Sequence, residues 1–212
     1  MKSARRSFFQ SGLRRLSNYP FVPALHKDRS PSFAWWENGF TDEEIEKIKE
    51  YAKTLVPNTA LVHKGEGPPP EHIRKTKVSW IGNTPDTSWL YERMADVARK
   101  LNAQFYNFDL YGFLEDMQFT IYEETESHYA WHIDMGDNSK APRKLSMVLQ
   151  LSDPSEYEGG ELQVRTKAEP ETVNKQKGLI TVFPAYTLHR VTPITKGSRY
   201  SLVVWACGPA LK

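Results

Sequence analysis

The stretch "KLSMVLQL", residues 144–151, decides the fold class. Leu145, Met147, Leu149 and Leu151 take alternate positions, and Lys144, Ser146 and Gln150 fall between them. Side chains of an extended chain point alternately to its two faces, so a period of two is that of a strand with one apolar side, as a two-layer sheet requires. Runs of the same character occupy the chain from residue 110 onward: "MQFTIY" (117–122), "GELQV" (160–164), "GLITVFP" (178–184) and "YSLVVWA" (200–206). Gly, Pro, Asp or Ser bounds each of them, as strand ends require. In "YEGGEL" (157–162), Gly159 and Gly160 supply the positive φ of a tight turn.

Upstream the period is helical. "TDEEIEKIKEYAKTL" (41–55) opens with a capping-box pattern, Thr41 with Glu44, and places Ile45, Ile48, Ala52 and Leu55 on one face. A second amphipathic helix is predicted in "DTSWLYERMADVARKLN" (86–102), where Asp86 caps the start and Leu90, Met94, Val97 and Leu101 recur at three- and four-residue intervals. Between them, a Gly- and Pro-rich loop over 63–72 leads into a strand at "KVSWI" (77–81). Such a loop joined to a strand has the makings of a lid. Helices first and strands after give an α+β chain whose second part is an antiparallel sandwich or barrel.

At 212 residues the chain is large enough to bury a substantial core in a single domain. No apolar run has the length of a membrane span, so no membrane partner is expected. A net charge of +2 lacks the clustered basic excess of a nucleic-acid binder. The single cysteine, Cys207, excludes an intramolecular disulfide and reads as a small apolar residue near a strand end. With no secretory signal, a reducing cytosol is the expected compartment, the host's if the chain is viral. Residues 1–32 form a basic arm. Its Lys2, Arg5, Arg6, Arg14 and Arg15 come without acids, and Phe9, Leu13 and Leu16 fall at helical spacing. The composition is that of an organelle transit peptide or of an arm that packs on the domain surface.

"YAWHIDMG" (129–136) carries His132 and Asp134, which on a strand present an imidazole and a carboxylate to the same side. A third candidate is His189 in "FPAYTLHRVTP" (183–193), 55 positions after Asp134 (189 − 134) and just beyond an apolar strand. Two imidazoles and one carboxylate on one face of a metal leave the opposite positions open, which suits non-haem ferrous iron working with dioxygen. Arg199 follows His189 by ten residues (199 − 189), at the start of the last strand, with Ser201 on its face. A guanidinium fork beside a hydroxyl is suited to grip the distal carboxylate of a chelating keto acid.

These residues carry a family resemblance. "YAWHIDMG", "RKLSMVLQLSDPSEYEGGEL" and "FPAYTLHRVTPITKGSRYSLVVWACGP" together resemble the iron- and 2-oxoglutarate-dependent dioxygenases, specifically the prolyl 4-hydroxylase-like group with its bacterial and phage PKHD-type hydroxylases. The resemblance covers about residues 33–209 and is most specific from 118 to 205. It implies a double-stranded β-helix, a jelly-roll barrel over about 110–209, braced by the N-terminal helices in a single dioxygenase domain, residues 33–212. It implies Fe(II) held by His132, Asp134 and His189, with 2-oxoglutarate as cosubstrate bound through Arg199 and Ser201, and ascorbate as a reductant. Tyr122, in the family's tyrosine position, would add a hydroxyl to the cosubstrate pocket. The implied reaction hydroxylates a C–H bond with dioxygen and releases succinate and carbon dioxide. A prolyl or other side chain of a protein or peptide is the implied substrate. Animal collagen hydroxylases carry a lysine where this chain has Arg199, which moves it toward the microbial members.

Substrate contacts are less sharply marked. Arg74 falls near an arginine that follows the mobile loop in prolyl hydroxylases, Trp80, Trp131 and Trp205 are candidates for a cleft wall, and Arg143 and the 63–72 loop are candidates for peptide contact. Three rival readings stand beside this one. A nucleic-acid demethylase would need a basic groove and stacking aromatics. A free-amino-acid hydroxylase would use the same barrel. A non-catalytic jelly-roll module would lack a ligand of the set, and none is lacking.

Overall fold

The computed structural model describes residues 30–55, 58–59, 71–123, 126–135 and 142–210. The expected basic arm up to residue 29, and the expected loop up to residue 70, lie outside the described residues. In chain order the elements are β1 (Ala34–Trp36), α1 (Asp42–Lys53), β2 (Asn58–Thr59), β3 (Arg74–Lys75), β4 (Lys77–Ile81), α2 (Ser88–Leu101), β5 (Gly112–Phe113), β6 (Met117–Glu123), β7 (His128–His132) and β8 (Arg143–Gln150). They continue with β9 (Tyr157–Gly159), β10 (Leu162–Arg165), β11 (Glu171–Thr172), β12 (Ile180–Pro184), β13 (Leu188–Val191) and β14 (Ile194–Cys207). No helix among them is long and apolar enough to cross a membrane.

Two antiparallel sheets make the walls of the expected jelly roll. The larger runs β1-β12-β8-β14-β6-β4-β2, with β5 and β9 paired to β14, and the smaller runs β11-β10-β13-β7-β3. The apolar face of β8 meets the helices: Leu145, Met147, Leu149 and Leu151 are fully buried in one cluster with Ile45, Ile48, Leu90 and Met94. Burying such a side chain contributes about 1.5–3 kcal/mol. The opposite face of β8 looks toward the smaller sheet, where Val148 joins Leu162, Val164 and Val191 in a second cluster. Lys144, Ser146 and Gln150 share that face and are buried too. The polar side of the strand therefore faces the interior between the sheets, where a polar row needs partners.

The first helix starts as its sequence predicts, with Thr41 Oγ1 accepting from the Glu44 amide and the Glu44 carboxylate accepting from the Thr41 amide. Thr41→Ala is expected to lower stability by about 1 kcal/mol, read as a lower midpoint in urea unfolding with unchanged slope. The second helix departs from expectation at its start. It begins at Ser88 without a side-chain cap, so Asp86 does not cap it. The local turn takes that role: Thr87 Oγ1 donates to the Gly82 carbonyl at 2.6 Å and accepts from the Thr84 amide at 2.8 Å.

Gly159 and Gly160 do adopt positive φ, 79° and 59°. A Cβ on Gly159 would lie 2.1 Å from the Pro193 carbonyl oxygen, so the turn needs glycine for close approach as well as for backbone angle. The turn passes the chain from β9, which pairs with β14, to β10, which pairs with β13 in the other sheet. The last strand is longer than "YSLVVWA" predicts. It pairs with β9 over Ile194–Gly197, then with β6 from Ser198 and with β8 from Ser201, so Arg199 lies within it rather than at its start.

Candidate active site

His132 and His189 are direct cross-strand partners at the facing edges of β7 and β13. Each turns its Nδ1 to a backbone carbonyl two residues earlier, Ala130 O at 2.7 Å and Thr187 O at 2.8 Å. The two Nε2 atoms are thereby aimed at one point. Asp134 lies two residues beyond the end of β7, so the expected same-face pair on a strand is not what brings it there. Its amide donates to the Ala185 carbonyl at 2.8 Å, and this bond folds the carboxylate back between the imidazoles. His132 Nε2 stands 3.5 Å from Asp134 Oδ1, and His189 Nε2 stands 3.4 Å from Oδ2. All three ligand atoms lie within 4.8 Å of one another, a spacing that fits a single iron ion.

Charge is distributed unevenly over the three. Burial and the neighbouring His189 push His132 down to about 4. Burial alone would raise the Asp134 carboxyl, but His189 and then His132 outweigh it and hold it well below the usual carboxylate range. His189 is raised despite its burial, because Asp134 faces it. Metal ligation needs the carboxylate ionised, the form these neighbours favour at Asp134.

Around this centre is a cavity of about 120 Å³, lined among others by Arg74, Tyr122, Arg143, Arg199, Ser201 and Trp205. Arg199, Ser201, Val203 and Trp205 alternate along β14 and all reach it, as the period of a strand dictates. Arg199 is 3% exposed, pairs across the ladder with Tyr122, and donates Nε to Gln150 Oε1 at 3.0 Å. Its guanidinium lies 5.3 Å from the Tyr122 ring centre. Among the described residues no carboxylate pairs with Arg199, an arrangement that in a dry interior calls for an anionic ligand. Burial pushes the Tyr122 phenol up, so it stands in the cavity as a neutral donor.

A sequence profile of the 2OG-Fe(II) oxygenase superfamily matches residues 117–207, which hold every residue of this centre. A PKHD-type hydroxylase of Prochlorococcus marinus is 42% identical over 77 residues, 36% of this chain and 35% of that protein's length. One from Pseudoalteromonas atlantica is 30% identical over 165 residues, 72% of each chain. The chain belongs to the 2OG-Fe(II) oxygenase superfamily, among its PKHD-type members. Membership implies Fe(II) and 2-oxoglutarate, and the His132–Asp134–His189 cluster fits the iron. The fold is shared with a Pseudomonas putida prolyl-4-hydroxylase, at TM-score 0.62 and 21% identity over 84% of this chain and 94% of that one. It is shared also with a Trichoplax adhaerens prolyl hydroxylase solved with a hypoxia inducible factor peptide fragment, at TM-score 0.69 and 18% identity over 94% and 92%.

Within this oxygenase the weaker sequence candidates separate. Arg74 is buried at the cavity, with Nε donating to Thr76 Oγ1 at 2.9 Å and the guanidinium 4.5 Å from the Tyr129 ring centre. Tyr129 in turn stacks on His132 at 3.4 Å between ring centres. Trp80 lines the cavity and is 39% exposed. Trp131 does not line it: it points the other way along β7, under Arg190 at 4.6 Å. Arg143 lies at the cavity, pinned by Glu115 through Nε at 2.7 Å. Two functional neighbours escaped the sequence reading, Ser146, which donates to Asp134, and Gln150, which holds Arg199; Trp205, expected at the cleft wall, lines the cavity and donates to Asp134 as well. The signal for Ser146 and Gln150 was present in the polar alternation of β8, once that face is known to look inward.

Proposed function

We propose that this protein is an iron- and 2-oxoglutarate-dependent dioxygenase that hydroxylates a C–H bond in a side chain, foremost prolyl, of a protein or peptide. The observation that carries the reading is one cavity holding both a His-Asp-His cluster and a buried arginine whose hydrogen-bonding partners, Gln150 and Tyr122, are neutral. Bound iron with 2-oxoglutarate and dioxygen supplies the oxidation of C–H to C–OH, coupled to oxidative decarboxylation of 2-oxoglutarate to succinate and carbon dioxide.

The chain's own residues do the rest. His132, Asp134 and His189 hold the metal from one side and leave its other positions to ligands. Arg199 with Ser201 grips the distal carboxylate of 2-oxoglutarate, and the Tyr122 hydroxyl donates into the same pocket. Val148, Leu162, Val191 and Val203 make the apolar wall that keeps water from the centre. Substrate approaches past Trp80, Arg74 and Arg143. A peptide substrate is supported by the hypoxia inducible factor peptide fragment in complex with the Trichoplax adhaerens neighbour, and hydroxylation by the sequence relatives, which are PKHD-type hydroxylases.

Anaerobic titration of the metal-free protein with ferrous iron and then 2-oxoglutarate tests this. The expected result is a weak visible charge-transfer band that needs both additions, followed, once dioxygen is admitted and ascorbate is present, by succinate release on screening proline-containing peptides. A folded protein that gives no band is a jelly-roll scaffold instead.

A further inference from the structure

The two oxygens of Asp134 are not equivalent. Oδ2 accepts from Ser146 Oγ at 2.7 Å and from Trp205 Nε1 at 2.9 Å and lies 3.4 Å from His189 Nε2, whereas Oδ1 has only His132 Nε2 as a polar neighbour among the described residues, at 3.5 Å. Both donors come from neighbouring strands of the large sheet: Ser146 on β8 and Trp205 on β14 are Cα partners in the ladder, so they reach the carboxylate as a fixed pair. Ser146 is fully buried and Trp205 is 5% exposed, which leaves neither an alternative partner in water. The indole is also clamped from outside. Arg143 lies 3.6 Å over its ring, and Glu115 holds Arg143 with a second carboxylate contact at Nη2. Arg143 Nη1 reaches the Asp134 carbonyl at 3.4 Å, so the clamp spans both the ring and the backbone of the residue it orients.

We infer that Ser146 and Trp205 are positioning residues that occupy Oδ2 of Asp134 and so present Oδ1 as the single oxygen for the metal. The inference rests on the metal-centre reading above and extends it. A carboxylate that accepts two hydrogen bonds on one oxygen has little tendency to swing into a two-oxygen grip, so one more position stays open for ligands. Trp205 also lines the cavity, so its side chain touches both the space for ligands and a metal-ligating carboxylate.

The test is anaerobic titration with Co²⁺ in place of iron, reading affinity and the visible absorption envelope, on the wild type, Ser146→Ala, Trp205→Phe and the double variant. Each single variant is expected to weaken Co²⁺ by about tenfold or more, the double variant further, with the envelope altered as Oδ2 is freed. Ser146→Thr, which keeps the hydroxyl, is expected to retain the wild-type spectrum. Ser146→Ala removes one oxygen atom from a strand and preserves packing, so it carries the test if Trp205→Phe does not fold. Wild-type affinity and spectrum in Ser146→Ala and in every other folded variant overturn the positioning role and leave the metal centre standing. A wild type that binds no Co²⁺ removes the metal centre, and the inference with it.

Discussion

Asp134→Ala is expected to abolish ferrous-iron binding and succinate formation, a loss of more than about 100-fold, which is the upper end of what removing an outer hydrogen-bond partner costs. The carboxylate is the only acid in the cluster, and it balances two imidazoles within 3.5 Å. Without it, two neutral or repelling rings remain, and neither nitrogen has a charge to offer a cation. His132→Ala is expected to give the same functional loss for a different reason, since it removes a donor atom and leaves the carboxylate facing His189 alone. The two variants differ in stability. Asp134→Ala takes the acceptor from Ser146 and Trp205, and each buried donor left unmade costs about 1–3 kcal/mol. His132→Ala opens space at the cavity and leaves both of those bonds intact. Calorimetric titration with Fe²⁺ and a thermal melt on both variants check this. Turnover retained in both would refute the centre.

Much of the architecture could be read from the chain because burial imposes a period on it. The apolar face of "KLSMVLQL" and the Ile45–Ile48–Ala52 stripe each report one buried side, and these are the residues that meet in the core between α1 and the large sheet. The metal cluster could be read as well, since chemistry limits which side chains ligate. What the chain did not disclose is contact between distant strands. The Ser146 hydroxyl looks like ordinary strand polarity until β8 is known to face β7, and the Trp205 indole looks like core until its nitrogen is found on Asp134. Asp134 illustrates the same limit locally. Its position depends on a bond to the Ala185 carbonyl, 51 residues away (185 − 134), which no period reveals. Asp86 failed as a cap for a related reason, because the Thr84–Thr87 turn had already fixed the backbone entering α2.

Arg199→Ala is expected to raise the 2-oxoglutarate requirement by roughly 100-fold while ferrous-iron affinity stays at its wild-type value. Hydrogen bonds to a charged partner contribute about 1.5–3 kcal/mol each, and a fork that makes two of them is worth at least about two decades in affinity. The separation of the two effects follows from position. Arg199 lies on β14 opposite Tyr122, whereas the cluster is built by β7, β13 and the turn after β7, and the side chain's hydrogen bond goes to Gln150 rather than to a ligand. Gln150 is itself fixed by Nε2 donating to Tyr157 and to the Ser152 carbonyl, both at 3.0 Å. Its Oε1 therefore captures the Arg199 Nε, and the Tyr122 hydroxyl is the other neutral group that hydrogen-bonds the guanidinium. Arg199→Lys keeps the charge and loses the fork, so it is expected to fall between alanine and wild type. Steady-state succinate assays across 2-oxoglutarate concentrations, beside a metal titration of each variant, separate these outcomes. An unchanged 2-oxoglutarate requirement in Arg199→Ala removes the assignment, because the other arginines on the cavity among the described residues, Arg74 and Arg143, are held by Thr76 and Tyr129 and by Glu115.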